Sequence, residues 1–338
     1  MRKIAIFLII ALLLLGCTKP IEPKPIIVDI DEGATSRGFF IGTSGYAPAN
    51  FPSSSSAEVQ AFWSDVGKSG ELFGVHTDWK ETGIIAVSSQ FSDLVLVLGF
   101  QKPEEWENDV EELKDSIRDI LRDNPRVKYL AIGNEVNTLY EQFPNQFDNF
   151  VSAYKEVYQS VKAEFPNVKV FTTFQLEAMK GKGYLTGKAR EEEWFLLSKF
   201  GDSLDIAGFT TYSYFDYTDP DKIPSDYYGE IKQYTNKPVA FTEIGWPARS
   251  RWGGKLSKLN EQGFTGSEKE QVDFLNRFLD TTKSLDLEFV NWIFINDIVA
   301  WKDGEEPKQF PLFDSIGLKY HDGTAKEAWN EWLKLKST

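Results

Sequence analysis

From Gly38 onward the chain alternates short, continuously apolar runs with longer stretches in which apolar residues recur every three or four positions. The short runs are Phe39–Thr43, Leu72–Thr77, Leu94–Leu98, Tyr129–Gly133, Val168–Thr173, Ile206–Thr211, Val239–Thr242 and Phe289–Ile295. Continuous apolar character, rather than strict alternation, marks strands covered on both faces, as in a parallel sheet. The helical stretches are Ala57–Lys68, Thr82–Gln90, Pro103–Arg122, Phe147–Phe165, Glu191–Phe200, Asp226–Tyr234, Ser267–Ser284 and Ala325–Leu335. Their ends carry their own signals. Pro103 followed by two acids suits a first helical turn, where a missing N–H costs nothing and negative charge meets the helix dipole. Ser267 with Glu270 three residues on is a capping-box pattern. Asn124-Pro125 and Phe165-Pro166 stop helices ahead of the next strand.

Strands that are each followed by a helix, eight times over, predict one α/β domain, a (β/α)8 TIM barrel. An open doubly wound sheet is the alternative. It would show fewer strands and a glycine-rich first turn, and Phe40–Ser44 has no phosphate-cradling pattern. Neither an internal repeat nor a second domain boundary is legible.

Ahead of the barrel, Arg2 and Lys3 precede an apolar run from Ile4 to Leu15 that ends Gly16-Cys17. A basic start and a short apolar run read as a secretory signal, residues 1–16, too short for a comfortable membrane span. The small residue before Cys17 resembles a prokaryotic lipobox, which implies that Cys17 is acylated and becomes the new N-terminus. Residues 17–37, with Pro20, Pro23 and Pro25, read as a semi-extended tether. The barrel, 38–338, is then expected outside the cytoplasm, held to a membrane by the lipid at Cys17 without spanning it.

Composition narrows the chemistry. With 37 basic and 51 acidic side chains the net charge is −14, which repels phosphate backbones and excludes nucleic acid as a main partner. One cysteine rules out an intrachain disulfide, and two distant histidines, His76 and His321, do not make a zinc site. No metal, no cofactor and no nucleotide motif is expected, and the chain is expected to act as a monomer. Aromatic residues make up 14% of the chain, ten of them Trp, and flat apolar rings suit the faces of sugars.

In such barrels function gathers at the C-terminal ends of strands. Here those ends include His76-Thr77-Asp78-Trp79, Gly133-Asn134-Glu135, Thr211-Tyr212, Thr242-Glu243 and Asn296-Asp297. A carboxylate at a barrel mouth costs desolvation unless it has a use. Glu135 and Glu243 end the fourth and seventh predicted strands, on opposite sides of the mouth. Two carboxylates facing across a cleft are what cleavage of a glycosidic bond requires.

The strings Ile132-Gly133-Asn134-Glu135 and Phe241-Thr242-Glu243-Ile244-Gly245-Trp246-Pro247 resemble those of the retaining glycoside hydrolases of clan A. The second is similar to the β-1,3-glucanases of family 17 and, less fully, to the endo-galactanases of family 53. The likeness runs over roughly residues 38–335 and is sharp at these two motifs. It implies Glu135 as acid/base, Glu243 as nucleophile, and Tyr212 as the hydroxyl that bonds the nucleophile. Tyr214 competes for that last role, with Tyr212 the better aligned. Asn134 is expected to bond the 2-hydroxyl of the reacting sugar. Trp292 to Trp301 is similar to the strand-eight region that supplies an aromatic floor. Trp246 and Trp79 follow strand ends and are expected to line the cleft with Trp292 and Trp301, and Asp78 to meet substrate hydroxyls. Two departures stand out: an Arg on strand two is replaced by His76 or Asp78, and a His on strand six by Thr210. The long loop 248–266 carries Arg249, Arg251, Lys255 and Lys258 against Glu261, an excess suited to an acidic sugar.

The expected activity is hydrolysis of a β-linked glucan, or a related polysaccharide or oligosaccharide, through a covalent glycosyl-enzyme. A carbohydrate-binding lipoprotein that has lost catalysis and a glucan transglycosylase are the alternatives.

Overall fold

A computed structural model describes residues 36–45, 55–100, 102–182, 191–306 and 312–336. The leader, Cys17 and nearly all of the tether lie outside the described residues.

The strands are β1 (Phe40–Ser44), β2 (Leu72–Asp78), β3 (Asp93–Gly99), β4 (Val127–Ile132), β5 (Lys169–Phe171), β6 (Thr173–Gln175), β7 (Ala207–Thr211), β8 (Val239–Ile244) and β9 (Leu287–Ile293). All pair in parallel in the order β5-β4-β3-β2-β1-β9-β8-β7-β6. Only Thr172 separates β5 from β6, so these are two halves of one barrel strand. The first half pairs with β4 and the second with β7, which brings the ends of the sheet together into an eight-walled barrel. The strands are buried along almost their whole length, β8 at every residue, as their continuous apolar runs require.

Helices cover the outside: α1 (Ser56–Ser69), α2 (Gly83–Ser88), α3 (Glu104–Glu107), α4 (Val110–Asp123), α5 (Val136–Gln142), α6 (Phe147–Glu164), α7 (Leu176–Met179), α8 (Phe195–Phe200), α9 (Lys258–Glu261), α10 (Glu268–Thr282) and α11 (Glu327–Lys336). Ser267 caps α10 by accepting the Glu270 N–H, as the sequence predicts. The single helix expected over Pro103–Arg122 is broken into α3 and α4. The stretch expected as a helix at Asp226–Tyr234 instead forms a 3₁₀ turn at Gly229–Gln233. None of the described helices is long and apolar enough to cross a membrane.

One irregularity places the chemistry. Phe241 pairs with Phe209 of β7 and Val290 of β9, yet Glu243 pairs with Thr210 and Ile244 with Trp292. Strand β8 therefore carries one residue more than both neighbours at Thr242–Glu243, a bulge. Phe241 points outward, packing on Phe278 of α10 with ring centroids 5.0 Å apart. Strict alternation would send Glu243 outward as well. The bulge turns it into the barrel mouth, as bulges beside active sites commonly do.

Candidate active site

The cleft at the C-terminal mouth is lined by Gly45, His76, Asn134, Glu135, Tyr212, Glu243, Ile293, Phe294 and Phe313. Glu135 and Glu243 thus meet in one cavity, although their strands stand three places apart around the barrel.

Glu135 arrives by a sharp turn. Gly133 has φ 94°, and a Cβ there would lie 2.5 Å from Val136 and 2.8 Å from Phe150, so only glycine fits. Glu135 itself, at φ 49° and ψ 52°, is the one non-glycine residue with positive φ among the described residues. That conformation costs about 1–3 kcal/mol and must be held by its surroundings. It is held three ways. The Glu135 N–H donates to Thr173 Oγ1 at 2.8 Å, its carbonyl accepts from Thr138 N at 2.7 Å, and Thr210 Oγ1 donates to its Oε1 at 2.6 Å. The carboxyl stays partly open to the cleft.

Glu243, 6% exposed, is surrounded by donors. The Tyr212 hydroxyl donates to Oε2, and the Asn134 side chain also bonds the carboxylate. Asn134 is turned that way because its Oδ1 accepts the Thr173 hydroxyl at 2.8 Å. His76 Nδ1 lies 3.3 Å from Oε1. Burial pushes the imidazole down to about 4, so at neutral pH the contact joins a neutral ring to a carboxylate and is not an ion pair.

Burial raises both acids, and the charge of Glu243 raises Glu135 further, while Tyr212 and Asn134 hold Glu243 down. Thr210 in turn holds Glu135 down, and both acids are pushed up to about 7, so the pair shares a proton near neutrality. Thr210 links the two, pairing with Glu243 across the sheet while donating to Glu135. It stands on the inward face of β7 with Tyr212.

Behind Tyr212 lies a third buried acid, not singled out in the sequence. Glu177 accepts the Tyr212 N–H at 3.1 Å, the Thr211 hydroxyl at 2.6 Å and the Tyr227 hydroxyl at 3.1 Å. It fixes the turn that carries Tyr212. Replacing Tyr212 by Phe leaves Oε2 of Glu243 without this donor. The expected result is a drop in kcat/KM of about 10- to 100-fold, from the worth of a hydrogen bond to a charge. Glu243 then keeps its proton to higher pH, so the acid limb of the pH–rate profile moves upward. An unmoved limb would contradict the role given to Tyr212.

The tryptophans expected along the cleft are elsewhere. Trp292 is fully buried on the outer face of β9, against Phe274 and Trp332, with Nε1 donating to the Ile316 carbonyl at 2.7 Å. The inner face of β9 belongs to Phe289, Asn291 and Ile293, so alternation turns Trp292 away. Trp246 stacks on Phe274 and is also fully buried. Trp79, 1% exposed, lies beneath the Lys80 ammonium. Trp301 donates to Asp297 at 2.7 Å in the cluster that buries the Asp297–Lys326 pair. Asp78 accepts the Lys80 N–H at 2.8 Å and caps its own turn. None of the five lines the cleft. Its apolar walls are Phe294, Ile293 and Phe313, supplied by β9 and the segments after it.

Arg249 is likewise unavailable to a ligand. Its guanidinium, 1% exposed, pairs with Asp314 at 2.6 Å and donates to the carbonyls of Lys302 and Glu305. The rings of Trp252 and Trp301 lie 5.2 Å from it. The pair ties the loop after β8 to Asp314, next to the cleft wall Phe313. Arg249→Met is expected to lower stability by about 3–5 kcal/mol, because Asp314 is left buried and unpaired. Equilibrium denaturation checks this: the Arg249→Met/Asp314→Leu double variant should recover most of the loss. If the single variant is as stable as the native chain, the clamp is not there.

No protein-family model matches this sequence, and no curated protein does. Solved structures with a similar fold include the β-glucuronidase of Ruminococcus gnavus in complex with D-glucuronic acid, with a TM-score of 0.60 and 13% identity over 88% of this chain and 49% of that one. The β-glucuronidase of Bifidobacterium dentium, complexed with coumarin-3-O-glucuronide, gives a TM-score of 0.58 and 14% identity over 88% and 46%. An active-site mutant of the β-1,3-glucanosyltransferase of Rhizomucor miehei, in complex with laminaritriose, gives 0.59 and 16% over 87% and 97%. The chain spans about half the length of the two glucuronidases. At such identities the likeness is one of fold, an α/β barrel shared with carbohydrate-active enzymes.

Proposed function

We propose that the chain is a retaining glycoside hydrolase of clan A, closest in motif to family 17, acting on a β-linked glucan or a related oligosaccharide. One observation carries this reading: two carboxyls from different barrel walls enter one cleft, share one proton, and differ in their donors. Glu243, ionised and held by Tyr212 and Asn134, attacks the anomeric carbon. Glu135 gives its proton to the departing oxygen. Glu243 loses its charge as the glycosyl-enzyme forms, the reason for Glu135 to hold a proton weakens, and Glu135 becomes the base that activates water. In this reading Asn134 meets the 2-hydroxyl, and Phe294 and Phe313, which line the cleft, meet the faces of sugar rings. A lectin-like role is disfavoured, because two acids raised by burial, one of them on a strained backbone, cost stability that mere binding does not need.

Transfer to a second sugar instead of water is the second reading. It is favoured by the fold likeness to a glucanosyltransferase along nearly all of that chain. Incubation with aryl-β-glycosides and with linear β-glucans, resolving products by chain length, tests both. Shorter chains mean hydrolysis, and longer chains alongside shorter ones mean transfer. If nothing turns over while oligosaccharides still bind, the catalytic reading fails. We further propose that Cys17 carries a lipid and holds the barrel on the outer side of a membrane. Palmitate labelling that persists in Cys17→Ser would contradict this.

A further inference from the structure

Oε2 of Glu243 has Tyr212 as its donor, and Oε1 faces the Nδ1 of His76 at 3.3 Å. The other ring nitrogen, Nε2, is enclosed and has no hydrogen-bond partner among the described residues. A neutral imidazole has one proton to place. On Nε2 it would strand an enclosed N–H without an acceptor and leave the bare lone pair of Nδ1 facing a carboxylate oxygen. On Nδ1 it faces that oxygen across 3.3 Å and leaves only a lone pair unpartnered. The second arrangement removes a repulsion and gains a charge-assisted bond.

We propose that His76 is a positioning residue for the nucleophile: a neutral imidazole in the Nδ1–H form, donating to Oε1 of Glu243 while Tyr212 donates to Oε2. This rests on the reading of Glu243 as nucleophile. Its neutrality matters as much as its bond. The titratable groups facing Glu243 are Glu135 from the end of β4, Tyr212 from the end of β7 and His76 from β2. A cation among them would cancel the charge of Glu243 and release the proton that Glu135 holds. A neutral donor orients the carboxylate and leaves its charge acting on Glu135. Burial keeps the ring in that state, since it takes up a second proton only near pH 4.

The chain has two histidines, so the ring nitrogens of His76 are assigned by comparing the ¹⁵N-labelled native chain with His321→Gln. Between pH 6 and 8 the expected spectrum shows a protonated Nδ1 and a bare Nε2 for His76. An Nε2–H ring or an imidazolium overturns the proposal, without needing any substrate. Kinetics give the second readout. His76→Phe, with no donor, is expected to lose about 10- to 100-fold in kcat/KM and to move the acid limb upward by about one pH unit. His76→Asn returns an N–H near the place of Nδ1 and should restore most of the rate and the limb. His76→Gln, which reaches the place of Nε2, should not. Equal behaviour of the Asn, Gln and Phe variants would overturn the proposal. Glu243→Gln, assayed alongside, separates the two levels. If it is inactive and the His76 results go the wrong way, only the role of His76 falls. If it is fully active, the nucleophile reading falls and takes this role with it.

Discussion

Glu243→Gln is expected to lose at least about 10⁴-fold in kcat, with the fold and substrate binding retained. An amide oxygen carries no full negative charge and is too weak a nucleophile to attack the anomeric carbon, and loss of a covalent nucleophile is among the largest single effects in enzymology. The change is also felt locally. The Tyr212 hydroxyl and the Asn134 amide now meet a group that accepts at one end only. Removing the charge of Glu243 takes away one of the influences that keep Glu135 protonated, so any residual activity should show its alkaline limb at lower pH. Stability should move the other way. Burial raises the folded-state value of Glu243 above that of an unfolded carboxyl, so its contribution to stability is lost as pH rises through that raised value. Gln is spared this loss, and at pH 8 the variant should melt at or above the native temperature. A variant that is both inactive and unfolded would speak for structure alone.

Glu135→Gln is expected to give a graded loss. For sugar leaving groups, which need a proton, kcat/KM should fall by about 10²- to 10⁴-fold. For dinitrophenyl leaving groups, which depart as stable anions, the first step should be nearly untouched. The second step still lacks its base, so a burst of phenolate followed by a slow steady state is expected. Azide, an anion that attacks without a base, should speed the steady state. The alkaline limb reports Glu135 losing its proton and should vanish. A loss of the same size with every leaving group would deny Glu135 the role of acid. Gln is chosen because the left-handed backbone at this position already strains any side chain, and keeping length and polarity leaves that strain unchanged.

How far the residues alone disclose this follows from which forces are local. The strand order was legible because barrel strands are covered on both faces and so read as unbroken apolar runs. Val168–Thr173 even covers most of β5 and β6, which the chain writes as one strand and the sheet splits at Thr172. The two acids were legible by position, since each ends such a run. The bulge at Thr242–Glu243 was not. One added residue leaves no periodic trace, and it shows only in the register against β7 and β9. The tryptophans misled because large rings serve the layer between strands and helices as well as they serve sugars. For Trp292 the alternation of Phe289, Asn291 and Ile293 held the answer. His76 and Thr210 were visible only as departures from a motif. Their partners, Glu243 and Glu135, lie far along the chain, and only the closed barrel brings them together. Glu177 gave no signal beyond lying at a strand end, because its work is done on a backbone N–H.

The most direct measurement is to expose the full chain to a 2-deoxy-2-fluoro-β-glycosyl fluoride of an accepted sugar and map the product by peptide mass spectrometry. The fluorine slows breakdown of a glycosyl-enzyme more than its formation, so the intermediate accumulates. One sugar per chain, esterified to Glu243, is expected. A label on Glu135, or no label in a chain that consumes the fluoride and releases sugar of inverted configuration, would contradict the division of labour between the two acids.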